Sequence, residues 1–528
     1  MQKFTFDRRQ TGFFTDQQNK LISGQEELLP FINYVFSKQN FLKQIQEKTS
    51  NYSDDNRNVL YKHLKETYAA CALSEKLKNN INAIDSKHTF TVTTGHQLNI
   101  FTGPIYLIYK ILDVIKMCEE LNAEFDGFHF VPCYWMASED HDFEEIASTT
   151  IFSENLYWEA NQKGAVGNFS SNGLLELREK VKQLYQNTSS DSIYSILDAY
   201  QGETLAEAHF NLIHELFKDY GLIIIDGNKK NLKELFIPHL HKEINEQFSY
   251  KSLKSTNELI EKNGLKTQVN PREINLFYLS EQSRERILHL EDDFFIEGIG
   301  RLSREELINE ILEFPERFSP NVALRPLYQE CILPNLCYVG GVGELSYWIQ
   351  LKKIFETAGI TYPMIKPRSS ILWIDSANAM RMQKSNLVIE DLFSDITNVK
   401  KQYLMSNSAD EIDFSISDNA FDELLWQLED KAKFMDINTE KMIAAESVKL
   451  AKQYGYIKEK LLKSVKQKHE KDLKSIDTVF DRLFPNGGLQ ERHFSIFSLC
   501  PDGNVQERIA QIYKYIEPFS PEFLVVRE

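Results

Sequence analysis

The sequence has no cysteine pattern typical of a disulfide framework or a structural zinc site. Its six cysteines are scattered along the chain, and no two of them form a C-x-x-C pair. Disulfide-rich secreted domains and zinc ribbons both need closely spaced cysteines, so the pattern argues against these two classes. We therefore expect buried free thiols and no metal site.

Long apolar runs and an excess of positive charge are also missing. No window approaches the ~20 apolar residues of a membrane-spanning helix, and the N-terminus has no apolar signal segment. We therefore expect a cytoplasmic protein with no membrane partner. The 60 Lys and Arg are outnumbered by 77 Asp and Glu, which gives a net charge of −17. Because nucleic-acid binding relies on many cations, we expect no nucleic-acid partner.

What is present is an ordinary globular composition in a long chain. Hydrophobic residues make up 42% and charged residues 26% of the 528 positions. A chain of this length exceeds the size at which one hydrophobic core keeps growing. The sequence therefore predicts a central domain that carries insertions or an appended domain.

The central domain is predicted to be a Rossmann-like α/β fold with a parallel sheet. Residues 89–94 are β-branched and aromatic, end at Gly95 and lead into an apolar-periodic helix over residues 106–121. A second apolar strand covers residues 128–137, and strand, helix, strand implies a parallel pair with a right-handed crossover. Ligands bind beyond the carboxyl ends of such strands, so the turns that follow them are predicted to share a cleft.

The remaining segments are assigned by strand spacing and helical periodicity. Further strands are predicted at residues 221–226 and 337–340, and a helix at residues 347–358. Residues 421–435 and 439–484 carry helical apolar stripes, which predict an antiparallel hairpin or coiled coil with a break near residues 436–438.

These elements predict a division of the chain into eight segments. In chain order they are an N-terminal helical layer (1–85), the first part of the core (86–150), a first insertion (151–210), a core strand (211–230), a second insertion (231–310), the last part of the core (311–375), a helical coiled-coil domain (376–510) and a C-terminal return to the core (511–528).

The first candidate for chemistry is the turn that contains Thr94, Gly95, His96 and Gln97, together with Gly103. At a strand-to-helix turn, backbone N–H groups and the helix dipole attract a phosphate or carboxylate. The side chains at positions 96 and 97 are predicted to donate hydrogen bonds to the oxygen of an activated acyl group. The alternative is a structural turn with a half-buried histidine. The turn is neither a P-loop nor a G-x-G-x-x-G fingerprint.

The second candidate is the run Glu139, Asp140, His141 and Asp142, which follows the second strand. Three carboxylates and an imidazole offer general-base, cation-binding and ribose-binding roles. We predict that the first two bind the substrate or nucleotide and that the last two are catalytic. The alternative is a charged loop that only caps the next segment.

A third group combines positive charge with glycine turns. Arg325 is suited to bidentate contact with a carboxylate or phosphate, and Lys366 and Arg368 add charge near a strand end. A second predicted ligand-binding turn contains Gly341, Gly343 and Glu344. The glycines at positions 340 and 341 are equally compatible with the ordinary end of a strand.

The ordered set of these motifs resembles the cysteine ligases of bacillithiol biosynthesis, the BshC family. The matching stretches are T-G-H-Q, T-G-P-I-Y, W-M-A-S-E-D-H-D-F-E-E-I, R-P-L-Y-Q-E, G-G-V-G-E-L-S-Y-W, P-R-S-S and P-N-G-G-L-Q-E-R. The resemblance implies a core like that of class I aminoacyl-tRNA synthetases, two insertions and a coiled-coil domain that pairs subunits into a homodimer. It also implies a ligase that joins the carboxyl of cysteine to the amine of glucosaminyl-malate, the last step of bacillithiol biosynthesis.

The expected energy donor is ATP or another nucleotide, because amide formation from a free carboxylate is uphill in water. No lysine loop of the K-M-S-K-S type is present. Three alternatives stay open from the sequence: a synthetase-like enzyme that acts on another amino acid, a non-catalytic assembly protein, and a metal-dependent hydrolase that uses the carboxylates and imidazole at positions 139–141.

Overall fold

The computed structural model describes residues 1–188 and 190–528, and they divide into two compact units. The core unit comprises Lys3–Leu372 and Glu491–Val526. The helical unit comprises Met1–Gln2, Trp373–Gln490 and Arg527–Glu528. The finer domain boundaries given above stay predictions.

The N-terminal segment is mainly helical. Its elements are β1 (Gln2–Phe6), α1 (Asp16–Ser23), α2 (Asn40–Asn51), α3 (Asp54–Thr67) and α4 (Glu75–Ala83). The sequence predicts only helices here, so the strand is a correction. It belongs to a three-stranded sheet together with two strands from much later in the chain, a pairing that local patterning does not reveal.

Strands and helices then alternate up to residue 374. In the first core segment these are β2 (Thr89–His96), α5 (Tyr106–Glu124) and β3 (His129–Met136). The first insertion contains β4 (Ser148–Ile151), β5 (Glu154–Tyr157), α6 (Leu174–Leu184), α7 (Asp191–Ala199) and α8 (Leu205–Phe217), and the core returns with β6 (Ile223–Asp226). The second insertion contains α9 (Lys230–Glu234), α10 (Ile237–Glu246), α11 (Phe248–Lys262), β7 (Leu276–Leu279), β8 (Arg284–Leu290), β9 (Asp293–Ile296), β10 (Gly300–Ser303) and α12 (Arg304–Glu313). The last core segment contains β11 (Phe318–Pro320), α13 (Arg325–Ile332), β12 (Asn335–Gly340), α14 (Val342–Trp348), α15 (Lys352–Ala358), β13 (Met364–Pro367) and β14 (Ser370–Ile374).

A five-stranded parallel sheet forms the centre of the core unit, with the order β13-β12-β2-β3-β6. Strands β3 and β6 follow β2 on one side of it in the sheet. The later strands β12 and β13 lie on the other side of β2. The point between β2 and β12 is therefore a topological switch point, where open α/β sheets place their ligand cleft. The predicted Rossmann-like parallel sheet is confirmed.

Helix α5 crosses from β2 to β3 and is buried along most of its length. Its apolar residues, such as Ile108, Ile111 and Ile115, are at most 1% exposed, and each contributes roughly 1.5–3 kcal/mol by leaving water. Because α5 begins only at Tyr106, Gly95 lies inside the strand and not at a helix start. The interpretation of the Gly95 turn as a helix N-terminus is therefore wrong.

The predicted helix over residues 347–358 is two helices, α14 and α15, separated at Ile349–Leu351. The second insertion also forms its own antiparallel sheet, with the order β10-β9-β8-β7-β11. In this sheet Arg286 of β8 pairs with Phe277 of β7. The insertion thus brings a second sheet, and not only helices, to the cleft described below.

The helical unit is formed by α16 (Ser376–Lys384), α17 (Ile396–Asn407), α18 (Ala409–Ile412), α19 (Ser415–Ala432), α20 (Ile437–Lys468) and α21 (Glu470–Leu483). Helices α19 and α20 pack as the predicted hairpin, with Phe421 and Tyr454 stacked at a centroid distance of 4.3 Å. Asp436 caps α20 by accepting hydrogen bonds from two backbone N–H groups, which explains the predicted break. A second break, at His469, is not apparent from the sequence.

The chain ends with α22 (Val505–Tyr515) and β15 (Phe523–Arg527). Strand β15 lies between β1 and β14 in the sheet order. No helix within residues 1–188 and 190–528 combines the length and the apolar character required to cross a membrane.

Candidate functional site

A polar cleft of the core unit opens at the switch point between β2 and β12 and has a volume of about 810 Å³. Its lining comes from the end of β2, the loop after β3, the turn after β12, the segment 320–325 and the second insertion. The two turns that the sequence predicts to share a cleft are therefore brought together. Positions 95–97, 139, 140, 325, 341, 343, 344 and 368 all line it.

Gly95 packs tightly at the end of β2. A Cβ added there would come within 3.0 Å of the Tyr338 hydroxyl and 3.5 Å of the Trp135 carbonyl. The Gly95 carbonyl accepts a hydrogen bond from Lys110 Nζ at 2.9 Å. The glycine is thus required by close packing, and its carbonyl fixes a buried cation in the cleft floor.

His96 places a neutral imidazole at the cleft. Its ring meets the Tyr106 ring edge-on at 5.1 Å, and its buried Nε2 has no hydrogen-bond partner among the described residues. Burial, together with the charges of Lys110 and other nearby cations, holds the His96 pKa well below its ordinary value. The ring is therefore uncharged at neutral pH and is available for a hydrogen bond with a ligand.

Gln97 is tied to the acidic loop after β3. Its Nε2 donates to Asp140 Oδ2 at 2.9 Å and to Glu145 Oε2 at 2.6 Å. Both amide protons are thus already donated, so this amide orients two carboxylates in the structure. The predicted donation to an acyl oxygen requires one of these bonds to open, and the catalytic role stays a prediction.

The acidic loop is held by partners from the second insertion. Glu139 forms an ion pair with the fully buried Lys233 at 2.6 Å and accepts from Ser319 Oγ, also at 2.6 Å. Burial would raise the Asp140 pKa, but hydrogen bonds from His141 and Gln97 and the charge of Arg284 hold it well below the ordinary value. The Asp140 carboxylate is therefore ionised, and Glu139 is fixed in place by its ion pair and its hydrogen bond.

Arg284 completes this network from β8. Its guanidinium donates to Ser319 Oγ, at 3.1 and 3.2 Å, and its Nη1 donates to His141 Nδ1 at 3.1 Å. The same Nδ1 lies 3.5 Å from Asp140 Oδ1, so His141 is held between this guanidinium and the acidic loop.

The opposite wall is built around Glu344. Its Oε2 accepts from Lys110 at 2.8 Å and from the Gly341 N–H at 3.3 Å, and its Oε1 accepts from the Tyr338 hydroxyl at 2.5 Å. Burial would raise the Glu344 pKa, but the positive charges of Lys110 and Arg325 lower it. The first N–H of this turn is thus used internally, and Gly343 has open space around it.

Arg325 has unused hydrogen-bonding capacity. Its Nη1 donates to Gln329 at 3.1 Å, and its buried Nη2 has no hydrogen-bond partner among the described residues. Arg368 also lines the cleft, but it forms a buried ion pair with Glu491 at 2.7 Å. Of these two predicted anion-binding arginines, Arg325 is the one that forms no ion pair with another described residue.

Several predicted site residues lie outside the cleft lining. Thr94 donates its hydroxyl to the Val339 carbonyl at 2.7 Å, and a Cβ on Gly103 would lie 2.4 Å from Asn99 Cβ. Both positions therefore serve packing in the structure. Positions 141 and 142, and Lys366 with its ion pair to Asp113, also lie outside the lining. Their functional roles stay predictions.

Other lining residues were not singled out from the sequence: Tyr106, Lys110, Glu145, Arg272, Arg284, Arg286 and Arg492. Two of them, Tyr106 and Lys110, lie on α5, and a lysine within the most apolar part of that helix is a signal that the sequence does offer. The arginines of the second insertion alternate along β8, but the sequence does not indicate which way their sheet faces. Within residues 1–188 and 190–528, no group of three or more His, Cys, Asp or Glu side chains has the geometry to hold a metal ion.

The parallel sheet, its switch-point cleft and the two insertions define a Rossmann-like enzyme fold with an appended helical unit. The family model described as "Bacillithiol biosynthesis BshC, N-terminal Rossmann-like domain" matches residues 6–369, and "Bacillithiol biosynthesis BshC, C-terminal coiled-coil domain" matches residues 371–527. The chain therefore belongs to the BshC family.

Relatives named "Putative cysteine ligase BshC" support this assignment. The protein of Flavobacterium johnsoniae is 38% identical, with 93% of each chain covered, and that of Cytophaga hutchinsonii is 36% identical, with 94% of this chain and 93% of the relative covered. Among solved structures, a putative arginyl tRNA synthetase from Campylobacter jejuni covers 82% of this chain and 97% of its own at 10% identity and a TM-score of 0.23.

Proposed function

We propose that the protein is a ligase that joins the carboxyl of cysteine to the amine of glucosaminyl-malate, as the last step of bacillithiol biosynthesis. Membership of the BshC family over both units supports the choice of reaction. The structural observation that carries the proposal is the switch-point cleft, where a neutral His96 and an unpaired Arg325 both keep an unpartnered buried nitrogen. Such groups suit a reaction whose substrates are anionic and whose acyl oxygen gains charge.

The energy donor in this proposal is ATP or another nucleotide. The cleft residues fit a polyphosphate, because Arg325 Nη2 is without a partner and Gly341 and Gly343 leave open space beside it. When bound, the nucleotide supplies the free energy that activates the cysteine carboxylate. The chain's own part is to neutralise negative charge, with Lys110 in the cleft floor and Arg325 on the wall beside the turn after β12.

The acidic loop is assigned to binding and to proton transfer. Glu145 lines the cleft and is exposed, with Gln97 holding one of its carboxylate oxygens. We assign to Glu145 the acceptance of the proton that the attacking amine loses, with Asp142 as the second candidate. Asp140 is the weaker base, because its pKa is held well below the ordinary value. His96 orients the acyl oxygen through its neutral ring.

The helical unit is proposed to pair two copies of the chain into a homodimer. Apolar side chains of α19, α20 and the connection between them are exposed, including Trp426 (59%), Phe434 (86%) and Met435 (66%). An exposed apolar helix face of this kind is typical of a coiled-coil interface.

We further propose that the reaction takes place in the cytoplasm. Cys118, Cys133 and Cys331 are buried free thiols, and free thiols persist in reducing compartments.

The test is product formation by the purified protein. Cysteine, glucosaminyl-malate and a panel of nucleoside triphosphates are incubated with the protein, and the thiol product is sought by mass spectrometry. The proposal expects the mass of the amide with at least one nucleotide. No thiol product under any of these conditions overturns the ligase assignment, and a product only with a different amino acid identifies a related synthetase-like enzyme.

A further inference from the structure

Two arginines of the second insertion line the cleft without any charge partner. Arg272 precedes β7 and Arg286 lies on β8. Within residues 1–188 and 190–528, neither side chain takes part in a hydrogen bond or an ion pair. Both are exposed to solvent. The protein carries a net charge of −17, so two uncompensated cations in the lining of one cleft require an explanation.

The backbone positions of both arginines are fixed, by strand pairing at Arg286 and by a hydrogen bond to the carbonyl of Arg272. Arg286 pairs directly with Phe277 across the two strands, so both project from the same face of the sheet. Arg284, two positions earlier on β8, shares that face, and its guanidinium lies 4.1 Å from the centre of the Phe277 ring. The Arg272 carbonyl accepts a hydrogen bond from the buried Asn275 at 2.9 Å. This face of the sheet thus carries an aromatic ring flanked by guanidinium groups.

Three other cations of the cleft are already engaged. Lys110 is paired with Glu344, Arg368 with Glu491, and Arg284 is held by Ser319 and His141. Arg325 lies on the opposite wall, next to the turn after β12, where we place the nucleotide. The insertion wall therefore offers two further guanidinium groups, separate from the wall assigned to phosphate.

We propose that Arg272 and Arg286 bind the two carboxylates of the malyl group of the acceptor, with the Phe277 ring packed against its short carbon link. This inference rests on the proposed function, because it names where the anionic end of that acceptor lies. A guanidinium group pairs with a carboxylate through two parallel hydrogen bonds, and two such groups match a compact dicarboxylate. Acceptor choice thus resides in the second insertion, outside the parallel-sheet core.

The test measures binding, so it does not depend on turnover. Calorimetric titrations of the full-length protein with glucosaminyl-malate, and separately with ATP, compare wild type with R272Q and R286Q. The matched control is R301Q, an exposed arginine on β10 of the same sheet that does not line the cleft. Each cleft substitution is expected to raise the Kd for glucosaminyl-malate about tenfold, the loss of one charge-assisted contact, and to leave the Kd for ATP unchanged. R301Q is expected to bind both ligands like wild type.

Arg286→Lys provides a second measure, because it keeps the positive charge but cannot form the two parallel hydrogen bonds of a guanidinium group. Its Kd for glucosaminyl-malate is expected to lie between those of wild type and R286Q. Unchanged acceptor affinity in both R272Q and R286Q, weakened ATP affinity instead, or no acceptor binding by wild type would each overturn the proposal. If wild type binds the acceptor but yields no amide, the ligase assignment fails while the dicarboxylate site stands.

Discussion

The core unit and the helical unit use charged and apolar residues in opposite ways. In the core unit, the ion pair of Lys366 and Asp113 is almost fully enclosed, with side chains 3% and 0% exposed. In the helical unit, the pair of Lys458 and Asp418 is 28% and 39% exposed, while Phe434 is 86% exposed. The core unit thus keeps this ion pair away from water, whereas the helical unit exposes apolar surface that is suited to a partner.

The largest expected effect comes from breaking a buried pair in the core unit. Asp113→Ala leaves the Lys366 ammonium without its counter-charge in a dry environment, and it also removes the acceptor for the Ser369 N–H. Losing one partner of a buried pair costs about 3–5 kcal/mol. Urea denaturation of the variant should therefore show a free energy of unfolding lower by that amount.

The matched variant in the helical unit is Asp418→Ala, which removes an exposed pair of the same kind. Exposed ion pairs are screened by water and salt, so no measurable change in the unfolding midpoint is expected. Equal destabilisation by the two substitutions would contradict the contrast between the units. In the core unit, replacing both partners, D113L with K366M, should recover most of the stability.

A smaller but functional effect is expected at the cleft floor. Lys110→Met removes the cation that joins the Gly95 carbonyl to Glu344. The loss of a preorganised positive charge typically costs about 100-fold in kcat/KM, and we expect this size of loss in the ligation assay. A variant that folds as shown by circular dichroism and keeps full kcat/KM would exclude Lys110 from the reaction.

The sequence predicted the parts of this contrast that depend on local pattern. The four strands near residues 89–94, 128–137, 221–226 and 337–340 are present, because β-branched apolar runs have few alternatives in an α/β chain. The helical hairpin also follows from its apolar period. The pairing of strand β1 with β15, near the other end of the chain, was not predicted, because contacts between distant segments leave no local pattern.

The candidate site was predicted only in part for the same reason. The turns at Gly95 and Glu139 were expected to meet, because parallel strands end at one edge of their sheet. The contribution of Arg284 was not, since it depends on which face of an antiparallel insertion turns toward the cleft. The buried ion-pair partners Lys233 and Glu491 could not be predicted either, because their positions depend on tertiary packing and not on sequence spacing.

The next prediction concerns the exposed apolar face of the helical unit. Trp426→Asp places a charge in the proposed coiled-coil contact, where Trp426 is 59% exposed in a single chain. We expect the dimer dissociation constant to rise about tenfold or more, as for loss of an interface aromatic residue. Sedimentation velocity measures this directly. A wild-type chain that sediments at 61.5 kDa at all concentrations would instead show that this face has no second copy as partner.

The smallest predicted effect concerns pH and the buried imidazole. Burial lowers the His96 pKa in the folded state below 6.5, so below that pH the unfolded chain binds a proton that the folded chain does not. Folded-state stability is therefore fully present above about pH 6.5 and falls as the pH decreases. Between pH 7 and 5.5, His96→Gln should lose about 1 kcal/mol less stability than wild type, measured by urea denaturation at each pH. Identical pH slopes would mean that the imidazole is solvated.

The central claim is that the cleft of the core unit performs the ligation, and one comparison of initial rates tests it directly. Wild type, R325Q and the surface control R301Q are given cysteine, glucosaminyl-malate and ATP, and the amide is quantified by mass spectrometry. Because the buried Nη2 of Arg325 has no hydrogen-bond partner among the described residues, R325Q is expected to lose at least about tenfold in kcat/KM, while R301Q matches wild type. Full activity in R325Q would contradict the account.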